Sequence, residues 1–68
     1  MRSLELPSGG GPWSWRKFDD EDEAQSFFQR LEDDHPPPLQ LGEPHLAPDG
    51  AVIPAGSWIV FYRPIIFH

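Results

Sequence analysis

"SWIVFYRPIIFH", residues 57–68, is apolar on both sides of an extended chain. Trp58, Val60 and Tyr62 point one way and Ile59, Phe61 and Arg63 the other, because successive side chains of a strand alternate between its faces. A strand that is apolar on both faces belongs in the middle of a sheet, covered from two sides. Pro64 interrupts the run, and Ile65, Ile66 and Phe67 add apolar surface that also needs cover. The rest of the chain has to supply it.

One cover is legible upstream. In "FDDEDEAQSFFQRLEDD", residues 18–34, Ala24, Phe27, Phe28 and Leu31 recur at the i, i+3, i+4, i+7 spacing of a core-facing helix, which predicts a helix over residues 20–33. Asp19 or Asp20 can cap its first turn, and Glu21, Asp22 and Glu23 complement the positive end of the dipole by about 0.3–1 kcal/mol each. Glu32, Asp33 and Asp34 crowd the other end, where the dipole disfavours acids. His35 precedes Pro36 and is pushed out of helical geometry, so the helix must end by there. Acids placed against the local preference are most simply the solvation of a small protein, and a use outside the domain is the sharper alternative. The solvent stripe Asp22, Ser26, Gln29, Asp33 is neutral in its middle, so the helix alone does not imitate a line of phosphates.

Shorter elements complete the reading. "WSWRKF", residues 13–18, has the period of two of a strand, with Trp13, Trp15 and Lys17 on one face. The prolines of "HPPPLQL" lead into a short edge strand over residues 39–41. "APDG", residues 47–50, is turn chemistry, followed by a brief strand at Val52 and Ile53 and a second turn at "PAGS". Residues 1–12 contain three consecutive glycines and two prolines and read as a flexible N-terminal arm, ordered only if Leu4 and Leu6 dock. The expected fold is a single small α+β domain over residues 13–68, one amphipathic helix on a three- to four-stranded, mainly antiparallel sheet in β-α-β-β order.

Composition narrows the function. A chain of 68 residues buries only about 60% of its unfolded surface, so its core is marginal. Without cysteine, neither disulfides nor thiolate zinc sites can staple it. The net charge is −6, with cations only at Arg2, Arg16, Lys17, Arg30 and Arg63, which argues against direct binding to nucleic acid or an anionic membrane. No apolar run approaches the ~20 residues of a membrane span and no signal-peptide pattern opens the chain, so a cytoplasmic location is expected. His35, His45 and His68, with Glu43 or Asp49, lack paired metal-ligand spacing, and no nucleophile motif or phosphate loop occurs. No enzyme activity, metal or cofactor is therefore expected.

A helix hides one sheet face, and no second helix exists in the sequence for the other, which stays open unless the loops and the N-terminal arm fold back over it. If Ile59 and Phe61, or Trp13 and Trp15, lie on that open side, the domain carries an apolar patch that marks an interaction site. The predicted contact is Trp13, Trp15, Ile59, Phe61 and Arg63, rimmed by the acids Asp22, Asp33 and Asp34, an anatomy of aromatic anchors inside a polar border. The expected function is a non-catalytic protein-binding module, an inhibitor or accessory factor that docks on a basic surface of a larger, nucleic-acid-handling complex. Phage anti-defence proteins are comparable in size and charge alone. The alternative is a structural subunit that self-assembles into a homo-oligomer through the exposed sheet face. On this reading, Ile59→Asp or Phe61→Asp abolishes association and spares the fold.

Overall fold

The structure is a computed structural model that describes residues 1–9, 12–31 and 35–63. Its described elements are β1 (Arg2–Ser3), β2 (Ser14–Phe18), α1 (Glu21–Phe28), β3 (Leu39–Gln40), β4 (His45–Leu46), β5 (Val52–Ile53) and β6 (Trp58–Tyr62). The α+β class stands, but the strands form two sheets instead of one, in the orders β2-β6-β3 and β1-β4-β5.

β6 is central in its sheet. It runs antiparallel to β2, with Trp15 opposite Phe61 and Lys17 opposite Ile59, and antiparallel to β3, with Leu39 opposite Ile59. Residues opposite one another share a face. Arg16, Phe18, Trp58, Val60 and Tyr62 therefore look toward the helix. There Phe27 of α1 meets Phe18 and Tyr62, each at 5.4 Å between ring centroids, and Ala24 is fully buried.

The opposite face is not open. Ile59 and Phe61 join Leu4, Leu41, Ala47 and Ile53 in one buried cluster, with Trp13 and Trp15 packed against it. The cover comes from segments that carry little strand signal. Arg2 and Ser3 pair in parallel with His45 and Leu46, Leu4 donates its N–H to the Leu46 carbonyl (2.8 Å), and β4 pairs antiparallel with β5. Part of the N-terminal arm is thus tied down: Leu4 docks, whereas Leu6 stays exposed.

The two predicted turns form. Gly50 donates to the Ala47 carbonyl (2.9 Å), and Asp49 Oδ1 accepts from the Ala51 N–H (3.1 Å), which closes the β4–β5 hairpin. At Pro54–Ser57 the third position is Gly56 with φ +87°, a conformation that a side chain would strain.

The helix is shorter than its periodicity implies. Asp20 caps it, accepting from the Glu23 N–H at 2.8 Å. At the other end, Arg30 and Leu31 donate to carbonyls three residues back (3.1 and 3.0 Å), so the last turn tightens and α1 stops at Phe28. No basic residue lies in that last turn to favour its extension.

Candidate functional site

Trp13, Trp15, Ile59 and Phe61 do share a face of the β2-β6-β3 sheet, as their alternation requires. That face looks inward, onto Leu4, Ala47 and Ile53. Ile59 is 0% and Phe61 6% exposed, so neither can contact a partner, which corrects the expectation that they form an open patch. The physical reason is the second sheet, whose three two-residue strands supply the missing cover.

Arg63 and Trp13 form a different arrangement. The guanidinium lies 5.0 Å from the indole centroid, His35 approaches the same ring edge-on at 5.9 Å, and the Arg63 N–H donates to His35 Nε2 at 3.3 Å. Trp13 also donates from Nε1 to the Gly9 carbonyl at 2.7 Å. The indole is half-buried and held from three directions, which makes it a clasp beside the paired ends of β2 and β6. Asp33 and Asp34 lie outside the described residues.

Asp22 belongs to a groove of about 570 Å³ between β2 and α1. Arg16, Lys17 and Phe18 line one wall; Asp22, Glu23, Ser26, Phe27 and Arg30 line the other. The lining takes in three consecutive residues of β2 and none of β6, which puts the groove on the outer side of β2, away from its paired neighbour. The helical wall follows from the i, i+4 rows that carry Asp22, Ser26 and Arg30 on one line and Glu23 and Phe27 on the next. Phe18 and Phe27 supply an aromatic floor, and the Arg16 guanidinium stands 5.5 Å from each ring centroid. Lys17 reaches Asp19 at 2.9 Å, an exposed pair of small energetic consequence. Among the described residues, Arg16, Arg30, Asp22 and Glu23 take part in no ion pair.

The sequence put Asp22 on the solvent stripe of the helix, as part of an acidic rim around the sheet face, and did not single out Arg16, Phe18, Phe27 and Arg30 as lining a groove with it. The signal was present: period-two alternation puts Arg16 and Phe18 on the helix face, and a step of four from Asp22 passes through Ser26 to Arg30.

A second concavity, about 520 Å³, opens between β1, β3 and β4, with Leu4, Leu39 and Leu41 below Arg2 and His45. Arg2 pairs with Glu43 at 3.5 Å, and His45 Nδ1 lies 2.7 Å from the Glu43 carbonyl. Among the described residues no three His, Cys, Asp or Glu side chains come together as metal ligands, and no helix is long and apolar enough to cross a membrane. Family models, curated proteins and solved structures give no match to this chain.

Proposed function

We propose that this chain is a non-catalytic protein-binding module of the cytoplasm, an inhibitor or accessory factor that docks on a basic surface of a larger, nucleic-acid-handling complex. The observation that carries this reading is the α1–β2 groove, where an aromatic floor of Phe18 and Phe27 adjoins Asp22 and Glu23. Those two acids continue the exposed run Asp19, Asp20, Glu21, so an acidic rim extends beyond the helix end of a groove whose lining also carries Arg16, Arg30 and the Asp19-paired Lys17. Apolar anchors within a charged border are the anatomy of a transient interface. The acids steer a cationic partner toward it and raise the encounter rate, an effect that fades as salt screens them.

The test is capture from a host extract by the full chain and by the double variant Asp22→Lys, Glu23→Lys. The wild type retains a basic partner at low salt and releases it as ionic strength rises, while the variant fails to retain it. Equal capture by both chains, or retention indifferent to salt, refutes the electrostatic docking.

Self-assembly has one observation in its favour. Leu46 and Val52 lie opposite each other on the outer side of the second sheet, 38% and 58% exposed.

A further inference from the structure

We propose that the free edge of β2 accepts an extended segment of the partner as an added strand, with the segment's alternate side chains seated in the α1–β2 groove. This rests on the protein-binding reading and specifies how the partner is held. Four observations converge on it. β2 is five residues long, whereas β1, β3, β4 and β5 have two each, so it is the one edge among the described strands that can hold a register. Only one side of β2 is paired: β6 takes it, and no backbone hydrogen bond among the described residues reaches the other. The groove runs along that edge, and added strands gain affinity from main-chain bonds and selectivity from pockets for alternate side chains. Finally, the groove is polarised, with Asp22 and Glu23 at the start of the helix and Arg30 just past its end.

The polarity defines the occupant. From Asp22 to Arg30 the helix advances roughly 12 Å, the span of about four residues of extended chain. The segment therefore carries a cationic residue against Asp22 and Glu23, an apolar residue two positions away beside the Phe18 and Phe27 rings that Arg16 partly covers, and an acidic residue two further on, toward Arg30. A second copy of this chain is a poor occupant, because antiparallel pairing of two β2 edges sets Arg16 and Lys17 against the same cations. Charged residues on an edge commonly prevent such self-pairing.

The probe is a terminally blocked heptapeptide, Thr-Lys-Thr-Val-Thr-Glu-Thr, added at millimolar concentration to the isotope-labelled full chain. Amide shifts are expected along Ser14–Phe18 and Glu21–Arg30, together with slowed hydrogen exchange at alternate amides of β2. N-methylation of the peptide at the positions that face β2 lowers affinity about tenfold or more, through the lost main-chain bonds. Arg30→Glu weakens the same peptide and favours one in which Lys replaces its Glu. Undiminished binding of the N-methylated peptide, with shifts still at Asp22 and Glu23, overturns strand addition and leaves the acidic docking surface standing. Absence of any shift in β2 also overturns strand addition; the docking reading then stands or falls on the double lysine variant alone.

Discussion

Ile59 contributes more to this domain through its burial than any surface role would require. It is fully inaccessible in the central strand, with Val60 equally buried on the helix side and Phe61 nearly so. Truncating Ile59 to Ala removes buried methylenes and leaves a void, at a cost of about 2–5 kcal/mol. A domain of this size holds only about 3–10 kcal/mol in total. Ile59→Ala is thus expected to lower the urea midpoint steeply, and Ile59→Asp, which buries an unpaired charge, to abolish the cooperative transition. Circular dichroism against urea decides it; a folded Ile59→Asp chain would mean that the second sheet does not seal this face in solution. This reverses the expectation from sequence that Asp at this position spares the fold. Alternation correctly assigned Ile59 and Phe61 to one face, and local patterning carried no information about which distant segment lies over that face.

At the level of elements, legibility follows the number of residues that repeat a pattern. β2, five residues long, declared itself through alternation, β6, also five, through an unbroken apolar run, and α1 through its apolar spacing. β1 and β4 are two residues long, too short to show a period, and exist because each pairs with the other across the chain. "HLAPDGAVI", residues 45–53, did contain a hairpin in outline, with apolar residues flanking a strong turn, yet only its second half reads as a strand from propensity, because the first offers just His45 and Leu46 between Pro44 and the turn. The groove was legible in its parts and not as a whole: the helix row and the strand edge become one site only through the docking of α1 over β6 and β2. The tertiary dependence of the short strands has a measurable consequence. Deleting residues 1–5 removes β1 and the buried Leu4, and is expected to cost about 2–4 kcal/mol, with faster hydrogen exchange at Leu46 and Ile53 and new binding of a hydrophobic dye. An unchanged urea midpoint in the truncated chain would show that the arm adds pairing without adding cover.

For the whole molecule, the shortage of cover inferred from the sequence is displaced outward and much reduced. The helix covers one side of β6 and the small sheet covers the other, so among the described residues the exposed large apolar side chains are Met1, Leu6, Leu39, Leu46 and Val52, the last two opposite each other on the outer side of the small sheet, while Ile65, Ile66 and Phe67 lie outside the described residues. Strands of two residues cannot build a wide patch, and specific, stable protein interfaces bury about 1,200 Å² or more. The net charge of −6 adds repulsion between copies at low salt. Both effects favour a chain that stays single in solution. Sedimentation equilibrium over a wide concentration series is expected to return the mass of one chain at low and at moderate salt, with Val52→Lys sedimenting identically. A defined dimer that Val52→Lys dissolves would instead assign the small sheet to self-assembly, and since β2 lies in the other sheet, such a dimer would leave the groove free, so the two surfaces can be tested separately in one molecule.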